Sequence, residues 1–201
     1  MQNSHLEHQF KVCVFAASSD QVDPTLLALA ETLGTALAKR GFAVVYGGTT
    51  QGCMGRLAAA VNQCGGTLIG VVPRGLRDLA FDPLSHLSVT DDLHDRQREF
   101  ERLSDAFIAL PGGVGTVAEV FSVINSRLLG MHSKPLILLN ARGAYDPMLG
   151  LLKALVHGRF AADAVKTTFS VARSVSSAVR LVEGTSRYFA DDRQPYRAST
   201  A

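Results

Sequence analysis

The sequence contains no tryptophan and only three cysteines, Cys13, Cys53 and Cys64, with no CxxC pair among them. An odd set with no metal-type spacing argues against a disulfide framework and a zinc site, so a reducing cytoplasm is the expected home. Charge of one sign is missing too. Lys+Arg number 20 and Asp+Glu 18, and a formal +2 is too small by itself to draw the chain to nucleic acid or an anionic membrane. No apolar run approaches the roughly 18 residues of a spanning helix. The start, MQNSHLEHQF, lacks the apolar core of a signal peptide. No nucleic-acid or membrane partner is therefore expected. Lysine is scarce, five residues against fifteen arginines; arginine suits planar, bidentate recognition of phosphate or carboxylate.

What is present is ordinary for a globular chain: 201 residues, 47% hydrophobic and 19% charged. That length suits one domain with a full core. Short apolar runs alternate with longer amphipathic stretches. Strands are expected at 11–17, 42–48, 67–73, 87–90, 105–113, 134–140 and 167–172. Helices are expected at about 23–40, capped by Asp23–Pro24, and at 53–64, 92–103, 116–129, 146–157 and from Ser176. The strands are apolar throughout rather than alternating, which marks burial on both faces. This predicts an α/β fold: a doubly wound, Rossmann-like, mostly parallel sheet with helices on both faces. The expected organisation is a flexible N-terminus (1–10), one domain (11–189) and a flexible tail (190–201).

In such folds ligands sit beyond the carboxyl ends of the strands. Two glycine-rich turns, YGGTTQGCMG (46–55) and PGGVGT (111–116), are expected at that edge. In each, glycine lets backbone N–H groups approach an anion, and the following helix adds partial positive charge. Neither turn fits G-x-G-x-x-G or a Walker A loop, which disfavours a dinucleotide or ATP site of those kinds. Ser18 and Ser19 follow the first strand as candidate pocket residues. The first turn contributes Gly48, Met54 and Arg56. Arg56 and Arg74 are candidates for holding phosphate or for plain surface solvation.

Glu119 admits two readings. Thr116-Val-Ala-Glu119 matches a capping box, in which the acid closes a helix start. Alternatively, an acid in the first helical turn stands at the ligand edge beside the phosphate turn. In DDLHDRQREFERLSD, Arg96 falls on the apolar stripe of Leu93, Phe100 and Leu103. An inward arginine needs a carboxylate or phosphate partner, and Glu119 and a bound phosphate are the candidates. His94 and His132 lack ligand-spaced partners, so no metal is expected. Tyr145 is a candidate for stacking on a base or for capping a loop.

These residues resemble the LOG (Lonely Guy) family of cytokinin riboside 5′-monophosphate phosphoribohydrolases, often labelled lysine decarboxylases. The family motif PGGxGTxxE stands complete as Pro111 to Glu119, and a second motif keeps its arginine as Arg96 in LHDRQ. VCVFAASS, LIGVVPRGL, LLGMHSKPLILLN and GAYDP fall in family order, over about residues 11 to 160. The resemblance implies a Rossmann-like homodimer, or a higher homo-oligomer, that takes a nucleotide substrate and needs no cofactor. It would release a free base and ribose 5-phosphate. Arg96 and Glu119 would be the catalytic pair, with Arg96 keeping Glu119 ionised, and Gly112, Gly113, Gly115 and Thr116 would hold the 5′-phosphate. A non-catalytic nucleotide-binding or sensing protein of the same fold is the alternative. The sequence departs from the family at Ala118, at Gln97, in AASS after the first strand, and at NSRLLG (125–130), a segment expected to line the base pocket.

Overall fold

A computed structural model of the chain describes residues 9–192, with side chains to 186. Seven strands form one sheet: β1 (Lys11–Phe15), β2 (Ala43–Tyr46), β3 (Leu68–Pro73), β4 (His86–Thr90), β5 (Ala106–Ala109), β6 (Leu136–Leu139) and β7 (Ser170–Ala172). Their order is β4-β3-β2-β1-β5-β6-β7, and every pairing is parallel. The helices are α1 (Pro24–Ala38), α2 (Gly52–Gln63), α3 (Leu93–Leu103), α4 (Val114–Leu128), α5 (Asp146–His157) and α6 (Val175–Asp192).

Period-two alternation along β1 builds both layers. Val12 and Val14 pack with Leu33, Leu37, Leu57, Val61 and Val179 of α1, α2 and α6. Cys13 and Phe15 pack with Phe100, Val120, Ile124, Met148 and Leu152 of α3, α4 and α5. Each strand face is thus buried, as the unbroken apolar runs require. Asp23 caps α1 as its sequence indicates, accepting from the Thr25 amide at 2.8 Å. The Asp92 side chain caps α3 in the same way, from the Asp95 amide at 2.8 Å.

Several expected boundaries shift. Residues 9 and 10, placed in the N-terminal segment by the sequence, join the fold: Gln9 Nε2 donates to the Gly41 carbonyl at 2.7 Å, and Phe10 packs on Phe42 with ring centroids 5.7 Å apart. At the other end α6 runs to Asp192, past the expected limit at 189. The rest of the predicted tail, and residues 1–8, lie outside the described residues. Leu93 does not join Phe100 inside: it is 66% exposed, because it opens α3 and stands clear of the sheet. Most consequential, α4 begins at Val114 with Gly113 as its N-cap, not at Thr116.

Candidate active site

The strand order reverses between β1 and β5, whose onward connections run to opposite sides of the sheet. The carboxyl ends of such neighbours leave a crevice. A cleft of about 880 Å³ opens there, between the segment after β1 (Ala16 to Ser19), the turn after β5 and the first turns of α4 and α5. Its size is that of a small-molecule site.

One wall is the second glycine turn. Gly112, Gly113, Gly115 and Thr116 all line the cleft. Gly112 has a packing reason for being glycine: a Cβ there would overlap the Thr116 side chain. Gly113 and Gly115 have none, since a Cβ on either would meet nothing within 4 Å. No side chain caps α4, so the amides of its first turn lack intrahelical partners and lie at the cleft wall. Bare backbone, an uncapped helix start and open space favour an anion.

The first glycine turn is different, and the expectation of a second phosphate cradle is corrected. At the start of α2 the Gly52 amide donates to Asp20 Oδ1 at 2.7 Å and the Met54 amide to the Ala17 carbonyl at 3.3 Å. The anion at this helix start is the protein's own Asp20. Gly52, at φ +57°, presses against the Ser19 and Ala17 carbonyls, so its glycine serves packing.

Glu119 and Arg96 meet at the cleft. Arg96 Nη1 lies 3.4 Å from Glu119 Oε1, with side chains 16% and 19% exposed. Arg96 Nε donates to the Val71 carbonyl at 3.0 Å and Nη2 to the Gly47 carbonyl at 3.3 Å. Its guanidinium lies 4.9 Å from the centre of the Phe100 ring. The arginine is thereby held from four sides. With α4 starting at Val114, Glu119 stands in the second turn, too far along for a capping box, and the cap reading fails. Burial pushes the Glu119 carboxyl up to about 7, and Arg96 pulls it back only in part. The expected ionising influence of Arg96 is real but is outweighed by desolvation.

Of the other candidates, Ser18, Ser19 and Met54 line the cleft. Gly48 does not: at φ +79° it packs where a Cβ would overlap Val72. Arg56 is exposed and off the cleft, because two helical residues beyond inward-facing Met54 lie on the opposite side of α2. Arg74 pairs with Asp91 at 2.7 Å on the surface. Tyr145 borders the cleft but is buried, its hydroxyl donating to the Leu110 carbonyl at 2.6 Å. His94 is exposed, and His132 stacks on Phe107 away from the cleft. Among the described residues no three His, Cys, Asp or Glu side chains converge as metal ligands. Residues 125–130 do not line the cleft, which corrects their expected place in a base pocket; Arg127 turns to the carbonyls of Lys134 (2.5 Å) and Thr167 (3.4 Å).

The sequence reading missed the apolar part of the cleft wall. Val22 and Leu26, Val117 and Phe121 of α4, and Met148 and Leu151 of α5 form it. Their helical spacing is that of core residues, so periodicity could not separate them from the core. Asp20 was also missed; an acid five residues past a strand carries no local signal of capping a distant helix.

Fold and site together define a class: a doubly wound α/β protein with an anion-type turn and a buried acid–arginine pair facing one cleft. Residues 54–182 match the family described as "Possible lysine decarboxylase". The rice (Oryza sativa subsp. japonica) cytokinin riboside 5′-monophosphate phosphoribohydrolase LOG is 36% identical over 193 residues, covering 92% of this chain and 80% of that protein. Rice LOGL5 is 42% identical over 152 residues, 75% of this chain and 62% of its own. Among solved structures, the molybdenum cofactor carrier protein of Chlamydomonas reinhardtii superposes with a TM-score of 0.70 at 23% identity, covering 89% of this chain and 98% of that one; this likeness concerns the fold alone. The chain belongs to the family described as possible lysine decarboxylases, which includes the LOG phosphoribohydrolases.

Proposed function

We propose that this protein hydrolyses the N-glycosidic bond of a nucleoside 5′-monophosphate, cytokinin riboside monophosphate or AMP, to free base and ribose 5-phosphate. The observation that carries the proposal is Glu119, buried beside Arg96 on the same helix whose uncapped start borders the cleft. The 5′-phosphate sits on the amides of the turn from Gly112 to Thr116 and fixes the ribose over the acid. As the C1′–N bond breaks, the base leaves with the bonding electrons and positive charge builds on the sugar. Ionised Glu119 stabilises that charge and takes a proton from the attacking water, whose oxygen bonds to C1′; that proton passes on to the departing base, which returns Glu119 to its carboxylate. Arg96 orients the carboxylate. No lysine lies in either glycine turn, so the decarboxylase description has no Schiff-base residue there.

The apolar wall receives the base and the polar end receives the ribose phosphate. The same reading places the protein in the cytoplasm as a homodimer. Three unpaired cysteines support the first, and exposed Leu93 and Val114 offer surface for the second. No described helix is long and apolar enough to cross a membrane. Light scattering tests the dimer; a monomer at micromolar concentration rejects it.

The function is tested with a panel of nucleoside 5′-monophosphates, scored by chromatography for free base. Glu119→Gln is expected to keep ribose 5-phosphate binding and to lose turnover by about 10²–10⁴-fold. Base release by Glu119→Gln at the wild-type rate overturns the assignment.

A further inference from the structure

Tyr145 begins the turn into α5 and is almost fully buried. Its hydroxyl donates to the Leu110 carbonyl at 2.6 Å. Leu110 is the last residue before the Pro111–Gly112–Gly113 turn, and its own amide donates to Phe15 of β1 at 2.9 Å. Leu110, which launches the turn, is therefore fixed through its amide by the sheet and through its carbonyl by a phenol. Pro111 adds no N–H to hold the segment, and the glycines that follow have no side chains to anchor it.

Tyr145 is itself held. Its amide donates to Asn140 Oδ1 at 2.8 Å, and Asn140 Nδ2 donates to Asp146 Oδ1 at 2.7 Å. The Asn140 amide donates to the Ala172 carbonyl of β7 at 2.8 Å. A continuous chain of hydrogen bonds thus runs from the edge strand, through Asn140 and Tyr145, to the residue ahead of the anion turn.

We infer that Tyr145 is a positioning residue for the phosphate turn: its hydroxyl sets the direction in which the Gly112–Thr116 amides point, and so the affinity for the ribose phosphate. The inference rests on the phosphate-binding role proposed above. It predicts a defect in phosphate recognition rather than in the chemistry of Glu119.

The test is calorimetric binding of ribose 5-phosphate and inorganic phosphate to wild-type protein, Tyr145→Phe and Asn140→Ser, with KM, kcat and the pH profile of base release. Loss of one buried hydrogen bond is expected to weaken ribose 5-phosphate binding about tenfold in Tyr145→Phe. KM is expected to rise by a similar factor, with the midpoint of the pH profile unchanged and free-base inhibition unaltered. Asn140→Ser, which frees the Tyr145 backbone but keeps its phenol, is expected to shift in the same direction by less, and carries the test if Tyr145→Phe does not fold. Wild-type affinity for both phosphates with unchanged KM in a folded Tyr145→Phe, or in Asn140→Ser should that variant not fold, overturns the inference. Failure of wild-type protein to bind either phosphate would instead remove the phosphate-site reading beneath it.

Discussion

At the scale of single residues, Glu119 couples activity and stability to pH in opposite senses. Its carboxyl titrates near 7 in the folded chain against an ordinary value of 4.5. Between those values the folded state holds a proton that the unfolded state has released. Stability from this group is therefore fully present below about pH 4.5, falls as pH rises, and levels off above 7, a loss on the order of 3 kcal/mol. The reactive form is the carboxylate, so turnover should climb with pH around a midpoint near 7, read from kcat/KM profiles. Glutamine does not titrate, so the Tm of Glu119→Gln relative to wild type should rise between pH 5 and about pH 7 and then level off toward pH 8. A flat difference across that range would show an ordinary carboxyl. Arg96 and Arg98 give a second contrast. Arg96→Ala removes the cation that lowers the Glu119 pKa and vacates bonds to Val71 and Gly47, so turnover should fall at least ~100-fold and stability by about 1–3 kcal/mol. Arg98 pairs with Asp95 on the surface, and Arg98→Ala should stay within about 0.5 kcal/mol with normal turnover. The inward turn of Arg96 was legible in the sequence, because helical period alone places residue 96 beneath Phe100. The balance of desolvation against ion pairing at Glu119 was not, because it depends on residues remote in sequence, Cys13 of β1, Arg96 of α3 and Tyr145, gathered around the acid.

At the scale of elements, the start of α4 decides what the glycine motif does. The sequence offers Thr116 as a plausible N-cap, and only the three-dimensional path shows the helix beginning two residues earlier at Val114. The spacing of Thr116 and Glu119 imitates a capping box while serving another end: Thr116 packs into the space left by Gly112, and Glu119 reaches the cleft. The two glycine turns look alike in sequence, yet only the second keeps its amides free of protein acceptors. What separates them is Asp20, remote in sequence and folded onto the start of α2. The glycines of the second turn should accordingly separate by substitution. Gly112→Ala drives a Cβ into Thr116 and should cost about 1–3 kcal/mol by thermal melting. Gly115→Ala meets open space within a helix, so its Tm should hold or rise slightly; if the turn holds the phosphate as proposed, the added methyl intrudes on it, and ribose 5-phosphate binding should weaken by at least ~10-fold. Equal phosphate affinity in folded Gly115→Ala would remove that residue from the cradle.

At the scale of the whole molecule, apolar strands alternating with amphipathic helices announced a doubly wound sheet, and all seven strands lie near their expected positions. The order of the strands was not legible, since no local pattern says that β5 lies beside β1; that adjacency alone brings Ser18 and the PGG turn across one crevice. Packing between layers is likewise hidden. Gly34 in the middle of α1 reads as a weak point in a helix, worth about 1 kcal/mol to replace by alanine on propensity alone. In the fold it is the contact that lets α1 lie on α2: a Cβ at residue 34 would stand 2.6 Å from the Leu57 carbonyl oxygen and 3.2 Å from the Ala60 methyl. Backbone on both sides leaves the neighbour no flexible atom to move, so the helices must separate. Gly34→Ala should therefore lower stability by about 1–3 kcal/mol despite its better helix propensity, roughly 2–12 °C in Tm for a chain of this length. Because α1 and α2 pack on the sheet face opposite Arg96 and α4, kcat well below the transition should remain at the wild-type value. A rise in Tm would mean that propensity outweighs packing at this crossing and that the two helices approach less closely than their backbones indicate here.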